Sequence, residues 1–333
     1  MKPHYFRCLL AVLAVLSVPA VFGMSRVSAP QRGDVTGDGC VDVADVNAII
    51  NVLLALGNAN TSVNRAACDL TGDGAIDVGD LNNLITLMLE APKLPRNAHY
   101  TVNGVTFEMV AVDGGTFTMG ASEDDLDAFE WERPQHRVTL SGYSLGATEV
   151  TQELWQAVMG SNPSYFTGNA QRPVDSVSWD DCQSFIAALN ALTGLNFRLP
   201  TEAEWEFAAR GGCRSQGCKY AGSEAVGEVA CYSGNSYSLG SGNAAYGTHA
   251  VGTKAPNELG LYDMSGNLYE WCADWFANYE ATPQANPTGP ETGTGRVARG
   301  GSWRFNERYC RVAHRIDFWP WNTSSYLGLR LAL

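Results

Sequence analysis

The stretch "FRLPTEAEWEFAARGG", residues 197–212, contains the signals of a short helix with defined ends. Thr201 is followed three residues later by Glu204, a spacing typical of a capping box that satisfies the first free backbone N–H groups of a helix. The residues that follow favour a helix, and Gly211 is suited to end it. The stretch therefore predicts one capped helix over "EAEWEFAAR".

The sequence around this helix predicts a second helix and a pair of strands. Ser178 and Asp181 have the same capping spacing, and they predict a helix that stops at Gly194. "VTFEMVAVDGGTFTMG", residues 105–120, alternates in polarity and predicts a β-hairpin. After Gly211 the chain is rich in Gly, Asn, Ser and aromatic residues, which indicates long irregular segments. The predicted fold class of this part is α+β with much irregular structure.

Composition and the N-terminal segment limit the classes of function. The chain has 333 residues, a formal net charge of −13 and 45% hydrophobic residues, which is enough for two domains. The negative charge argues against a phosphate-backbone partner, so we expect no nucleic acid binding. Residues 1–23 combine a basic start with an apolar run and a small final residue, which is typical of a secretory signal peptide. We expect a secreted or cell-surface protein with no membrane span after signal cleavage; a retained anchor is the alternative.

A 35-residue repeat contains two acidic loops. "DVTGDGCVDVAD" starts at Asp34 and "DLTGDGAIDVGD" starts at Asp69, and an apolar helical pattern follows each loop. Oxygen-bearing side chains at loop positions 1, 3, 5, 9 and 12, with glycine at 6, are typical of EF-hand calcium loops. The predicted Ca2+ ligands are Asp34, Thr36, Asp38, Cys40 (carbonyl), Asp42 and Asp45 in the first loop, and Asp69, Thr71, Asp73, Ala75 (carbonyl), Asp77 and Asp80 in the second.

This repeat resembles a type I dockerin over residues 33–91. Position 12 is Asp rather than Glu, and little precedes the first loop that would form an entering helix. The resemblance implies a small all-α module of paired F-hands, calcium-dependent folding and a cohesin-like protein partner. The alternative is a pair of acidic turns without metal. Residues 92–100, with two prolines, are predicted to be a linker.

Six ordered blocks in residues 101–333 resemble the formylglycine-generating enzyme (sulfatase-modifying factor) family. They are "ATEVTQELWQAVMGSNPSYF", "RPVDSVSWDDCQSF", "FRLPTEAEWEFAARGG", "NELGLYDMSGNLYEW", "RGGSW" and the closing "GLRLAL". The resemblance implies a variant of the C-type lectin-like fold. It also implies a further calcium site in "DMSGNLYEW", with the side chains of Asp263 and Glu270 and the carbonyls of Gly266 and Leu268 as ligands. The alternative is that Glu270 pairs with an arginine and Asp263 caps a turn.

The family's catalytic signature is incomplete in this sequence. Enzymes of the family resemble G-G-S-x-x-C-x-x-x-x-C, in which two cysteines bind copper(I) and activate oxygen to convert a sulfatase cysteine to formylglycine. Here Ser302 and Cys310 match, but Phe305 stands at the first cysteine position. Cu+ is therefore expected only if the oxidase function is retained, with Cys310 and Ser302 as the candidate catalytic residues.

Cys310 has two other interpretations. Eight cysteines follow the signal segment, and an even number in an exported protein permits disulfides. Cys272 and Cys182 are candidate partners of Cys310, while Cys213 and Cys218 are candidates for a local pair. A Cys310–His314 dyad is a further alternative.

The C-terminal segment, residues 298–333, is rich in aromatic and arginine residues and is a candidate recognition surface. The predicted ligand-binding residues are Arg304, Phe305, Asn306, Phe318, Trp319 and Trp321. The alternative is that the rings pack an irregular core. Three functions follow: a secreted, calcium-binding, non-oxidase protein that binds a protein or glycan; a formylglycine-generating oxidase; or a structural subunit of a carbohydrate-degrading complex.

Overall fold

The computed structural model describes residues 33–36, 41, 43–53, 65–90 and 97–333. The predicted signal peptide at 1–23 and most of the predicted linker at 92–100 lie outside the described residues. The same holds for three predicted calcium ligands in the first loop, Asp38, Cys40 and Asp42. Within the described part of the chain, no helix is both long enough and apolar enough to cross a bilayer.

The N-terminal module is built from helices α1 (Val43–Leu53), α2 (Arg65–Cys68) and α3 (Val78–Glu90). The helices α1 and α3 follow the two acidic loops, as the repeat predicts. Ile49 and Leu84, at equivalent positions of the repeat, are fully buried and belong to one hydrophobic cluster with Val35 and Leu70. The module therefore buries one apolar face from each half of the duplication.

The large domain contains ten strands in three small sheets. The strands are β1 (Ala98–Val102), β2 (Val105–Val112), β3 (Gly115–Met119), β4 (His136–Leu140), β5 (Tyr143–Gly146), β6 (Tyr269–Trp275), β7 (Gln284–Ala285), β8 (Arg296–Arg299), β9 (Arg315–Phe318) and β10 (Leu327–Gly328). The sheets have the orders β1-β2-β5, β3-β4-β7 and β10-β6-β8-β9. In the third sheet β10 is parallel to β6, while β6–β8 and β8–β9 are antiparallel.

The predicted hairpin over residues 105–120 is wrong in its pairing, although both strands exist. Strand β2 pairs with β1 and β5, whereas β3 pairs with β4. A side chain at Gly114 would lie 2.6 Å from the Leu140 carbonyl oxygen, so β3 approaches the end of β4 closely. The alternation in polarity identifies strands, but the partner of each strand depends on contacts far along the chain.

Four helices complete this domain: α4 (Gln152–Met159), α5 (Trp179–Thr193), α6 (Glu202–Ala209) and α7 (Val226–Val229). The two predicted capping boxes are confirmed. Ser178 Oγ accepts a hydrogen bond from the Asp181 N–H at 3.1 Å, and Thr201 Oγ1 accepts one from the Glu204 N–H at 3.2 Å. Gly194 ends α5 with a φ of 72°, which is the left-handed region that glycine adopts without strain.

Two large hydrophobic clusters hold the helices and sheets of this domain together. One contains Trp205 and Phe207 of α6 with residues from β2, β4 and β8. The other contains Trp271 and Tyr269 of β6 with residues of α4 and α5, where Trp155 and Phe185 stack at 4.7 Å. The strand β6 thus lies inside the third sheet and packs against the two helices α4 and α5.

We expect Ser178→Ala to destabilise the protein by about 1 kcal/mol, because an N-cap serine satisfies a backbone donor at the start of α5. Ser184→Ala is the matched control. Its hydroxyl is exposed in the middle of the same helix and donates only to the Asp180 carbonyl. Urea unfolding measures both variants. Equal midpoints for the two variants would contradict the assigned cap.

Candidate functional site

The second acidic loop is folded around its own carboxylates. Asp69 Oδ1 accepts hydrogen bonds from the N–H groups of Gly72 at 2.7 Å and Asp73 at 3.2 Å, and its Oδ2 accepts from Gly74 at 2.9 Å. Asp80 accepts from Thr71 N–H at 2.9 Å and from Asp77 N–H at 2.8 Å. The first and last acidic positions of the loop therefore shape the turn, as expected for a loop that wraps an ion.

The first loop repeats this geometry in its described part. Asp45 Oδ1 accepts hydrogen bonds from the N–H groups of Val35 at 2.8 Å and Thr36 at 2.9 Å. This matches the hydrogen bond that Asp80 Oδ1 accepts from the Thr71 N–H in the second loop. Burial raises the pKa of Asp80, but hydrogen bonds from Asp77 and Thr71 outweigh this and hold it below its usual value. The carboxylate at position 12 is therefore kept ionised, which is the state a cation requires.

The "DMSGNLYEW" segment lies in the interior of the large domain. Glu270 makes a bidentate ion pair with Arg330, with oxygen–nitrogen distances of 2.6 and 2.9 Å, and also accepts from Trp205 Nε1 at 2.7 Å. The alternative that Glu270 pairs with an arginine is thus the arrangement in this structure. Asp263 Oδ2 accepts from the Gly252 N–H at 2.7 Å.

Sequence reasoning missed a third acidic residue beside this segment. Glu149 is buried and accepts hydrogen bonds from the Leu268 N–H at 2.9 Å and from Asn267 Nδ2 at 2.7 Å. Glu149 lies just before α4, and only the tertiary fold brings it next to Asn267 and Leu268, more than 100 residues later in the chain. No local spacing signal could have identified it.

Buried carboxylates outnumber buried cations in this region. Burial raises the pKa of Glu149 well above its usual value, with contributions from Asp263 and Glu270, and burial raises the pKa of Asp263 to about 6. One guanidinium, that of Arg330, faces the three carboxylates. No three Asp, Glu, His or Cys side chains converge on one point in the described ranges. A bound ion would therefore need backbone oxygens, such as those of Gly266 and Leu268, in addition to Asp263 and Glu270.

Cys310 is a buried free thiol. Cys182, Cys218 and Cys272 are also free, so the disulfides suggested for Cys310, and the local pair with Cys218, are absent from this structure. Burial raises the pKa of the Cys310 thiol to about 12, although the Ser302 N–H bonds to it. At neutral pH and without a metal ion, Cys310 is therefore a thiol rather than the thiolate that a nucleophile requires.

The proposed Cys310–His314 dyad is not formed. His314 Nδ1 lies 2.8 Å from Glu132 Oε1, and Nε2 lies 3.2 Å from the Tyr269 hydroxyl. Both ring nitrogens are thus occupied by other groups. Burial lowers the pKa of His314. His314 is a structural residue inside the domain.

Phe305 fills the position where the family signature has its first thiol. Its ring contacts three tyrosines at centroid distances of 5.3 to 5.6 Å, namely Tyr269, Tyr309 and Tyr326. Ser302 is fully buried beside it. The position of the first signature thiol is therefore packed with aromatic carbon and supplies no sulfur.

Most arginines of the C-terminal segment are structural rather than exposed. Arg311 is buried in a bidentate pair with Glu132 at 2.8 and 2.9 Å, and Arg315 is buried in a bidentate pair with Glu202. Arg330 pairs with Glu270, as described above. These three side chains cannot contribute to a recognition surface, because buried guanidinium groups require their carboxylate partners.

The predicted ligand-binding residues divide into two groups. Arg304 and Asn306 are exposed, and Trp319 and Trp321 are 56% and 67% exposed. Phe305 and Phe318 are partly buried and pack on the hydrophobic cluster around Trp271. The alternative of aromatic core packing therefore holds for the two phenylalanines.

A cavity of about 390 Å³ lies beside the start of α6 and was not anticipated from the sequence. It is lined by Asp274, Glu202 and His136, among other residues. Asp274 Oδ2 accepts from the Glu202 N–H at 2.9 Å. Burial raises the pKa of Asp274 to about 7, and the Glu202 carboxylate contributes to the shift. This aspartate caps α6 from strand β6, so it links the helix to the central sheet.

Comparisons with known proteins agree with this geometry. The Sulfatase-modifying factor enzyme 1-like domain matches residues 97–333, and the Dockerin type I domain matches residues 32–89. The chain therefore belongs to the sulfatase-modifying factor family, with a variant of the C-type lectin-like fold, and it carries a dockerin type I module. The family resemblance and the predicted fold class are confirmed.

Two curated proteins and one solved structure illustrate what the chain is similar to. The chain is similar to a formylglycine-generating enzyme of Thermomonospora curvata, with 33% identity over 67% of this chain and 92% of that protein. A formylglycine-generating enzyme of Streptomyces coelicolor is 37% identical over 54% of this chain and 57% of its own length. The solved structure of Treponema denticola variable protein 1 has a TM-score of 0.64 and 34% identity, and the match covers 72% of this chain and 99% of that one.

Asp274→Asn should gain stability relative to the wild type at high pH only. The folded pKa of Asp274 is about 7 and its unfolded pKa is near 3.9, so the folded state holds the proton more tightly. The stabilisation from this carboxyl is complete below pH 4 and is lost as the pH rises through 7. Asn still accepts from Glu202, so we expect a relative gain of up to about 4 kcal/mol at pH 8 and almost none at pH 4.

Urea unfolding at both pH values checks this expectation, with the exposed Asp124→Asn as the matched control. If the variant and the wild type differ in free energy of unfolding by the same amount at pH 4 and pH 8, the pKa of Asp274 is not raised in the folded protein.

Proposed function

We propose that this protein is a secreted, calcium-binding recognition protein that lacks oxidase activity. The dockerin module would dock onto a cohesin-like partner, and the sulfatase-modifying-factor-like domain would present a ligand-binding surface. The observation that carries this proposal is that Phe305 stands at the first cysteine position of the family signature, which leaves Cys310 as the one thiol of that signature. A copper(I) site of the family type needs two soft ligands, and a phenyl ring supplies none.

The surface left exposed by the fold supports the binding half of the proposal. Trp319, Trp321, Arg304 and Asn306 remain accessible although their neighbours Phe305 and Phe318 turn inward. Arg304 lies over the rings of Tyr237 and Tyr326, at 5.4 and 5.8 Å, which holds its guanidinium at the surface. Exposed tryptophan and arginine are the residue types most enriched at binding hot spots.

A second candidate function is formylglycine-generating oxidation, because two similar proteins bear that name. In that case Cys310 and Ser302 would act in catalysis and Cu+ would be bound. A third candidate, a structural subunit of a carbohydrate-degrading complex, is favoured by the dockerin module, since such modules usually occur in extracellular cellulosome proteins.

The oxidase question has a direct test. We expect no copper-dependent oxygen consumption by the purified protein with a cysteine-containing sulfatase peptide, because one buried thiol does not hold the metal. Cys310→Ser provides the matched comparison and should show the same oxygen consumption as the wild type. Turnover by the wild type that disappears in Cys310→Ser would refute the non-oxidase proposal and establish the second candidate.

Calcium should stabilise the protein through two kinds of site. An ion at 100 times its dissociation constant adds about 2.7 kcal/mol per site, so a chelator should lower the melting temperature. Asp69→Asn with Asp73→Asn should remove the contribution of the second loop, and Asp263→Asn that of the large domain. Calorimetric titration counts the sites in each variant, with Asp124→Asn as the control. An unchanged melting curve on chelation would rule out a structural role for calcium.

A further inference from the structure

Two tryptophans form an exposed pair on the C-terminal face of the large domain. The indole rings of Trp319 and Trp321 are stacked, with centroids 5.6 Å apart and an interplanar angle of 28°. Their side chains remain 56% and 67% exposed. Large aromatic side chains each bury about 150–250 Å² when packed, so leaving two of them in water is costly unless another molecule covers them.

The backbone holds this pair in a fixed position. The Pro320 carbonyl accepts a hydrogen bond at 2.9 Å from the N–H of Trp179, the first residue of α5. The Asn322 N–H donates to the Trp319 carbonyl at 2.9 Å and closes a turn around the proline. The platform is therefore pre-organised by a helix start and a proline, which lowers the entropy lost on binding.

The residue immediately before the pair shows that its exposure is selective. Phe318 packs edge-on against Tyr269 and Trp271, at centroid distances of 5.9 and 6.0 Å. Trp319 and Trp321 contact no aromatic ring other than each other within the described part of the chain. The chain thus turns one aromatic side chain into the core and presents the next two to solvent.

The segment that carries the pair is itself uncharged. Residues 319–329, "WPWNTSSYLGL", contain no acidic or basic residue, although the whole chain has a formal net charge of −13. The polar side chains of this segment are Asn322, Thr323, Ser324 and Ser325, of which Thr323 is exposed, the serines are partly exposed and Asn322 has its Oδ1 atom buried. Within this segment an anionic or cationic ligand would find no opposite charge, and a purely apolar ligand would leave the accessible hydroxyl groups without hydrogen bonds.

We propose that Trp319 and Trp321 form a platform for a neutral polysaccharide, which is a refinement of the ligand-binding function proposed above. A pyranose ring has an apolar C–H face that packs on an indole, whose π-face is negative, and a rim of hydroxyls that hydrogen-bond to amides and hydroxyls. This combination matches the uncharged aromatic platform and its polar neighbours. The protein would hold the glycan rather than cleave it.

The test is affinity electrophoresis of the full chain, with calcium, in native gels that contain a neutral β-glucan, a neutral xyloglucan or anionic polygalacturonate. We expect retardation by at least one of the neutral polymers and none by polygalacturonate. Trp319→Ala and Trp321→Ala should each weaken the apparent affinity about tenfold, and the double variant should migrate as it does without polymer.

Matched controls separate binding from folding. Tyr165→Ala removes an equally exposed aromatic ring, 72% accessible, from outside this segment and should migrate like the wild type. Trp319→Phe with Trp321→Phe keeps the rings and should retain part of the retardation. Thermal melting of every variant shows whether the fold is preserved.

Three outcomes would overturn the proposal. The first is no retardation of the wild type in either neutral polymer. The second is retardation that persists in the folded double alanine variant, and the third is a loss of retardation in Tyr165→Ala equal to that in the tryptophan variants. If the tryptophan variants lose binding to a protein instead, the glycan assignment fails while the recognition function stands. Failure of the non-oxidase proposal shows in oxygen consumption, which the tryptophan variants do not affect, so the two failures are distinguishable.

Discussion

The ion pair between Glu270 and Arg330 is the interaction on which the large domain depends. Both oxygens of Glu270 contact the Arg330 guanidinium, and the remaining donors of Arg330 reach the carbonyl oxygens of Gly146 and Tyr262. Through these bonds one arginine near the C-terminus connects β6, β5 and the loop before β6. Removing one partner of such a buried pair typically costs about 3–5 kcal/mol, because it leaves the other charge uncompensated.

Similar buried ion pairs fix the irregular segments between the small sheets of this domain. Its strands are short, and long segments such as residues 230–268 contain only brief helical turns. Buried arginines fix these segments: Arg299 binds Glu206 and the carbonyls of Val312 and His314, while Arg315 binds Glu202 and the carbonyl of Ala277. Each guanidinium satisfies several acceptors at once, so irregular backbone can be buried without orphaned carbonyl groups.

This scaffold does not depend on the catalytic cysteines of its family. Phe305 and Cys310 lie on the short segment after β8, and neither takes part in the pairs that join the layers. Replacing a thiol by a phenyl ring therefore leaves the fold intact and fills the space with contacts to three tyrosines. The fold of this domain therefore does not by itself determine its function.

The sequence by itself determined the family, both capping boxes, the duplicated calcium-loop pattern and the missing thiol. These features are local: a cap needs residues three apart, and a loop needs twelve, so spacing alone identifies them. The tertiary structure decided the pairing of β2 and β3, the burial of Arg311 and Arg315, the free state of Cys310 and the position of Glu149. Each of these features depends on a partner that is distant in sequence. The residues around each position do not identify that partner, because only the folded chain brings the two together.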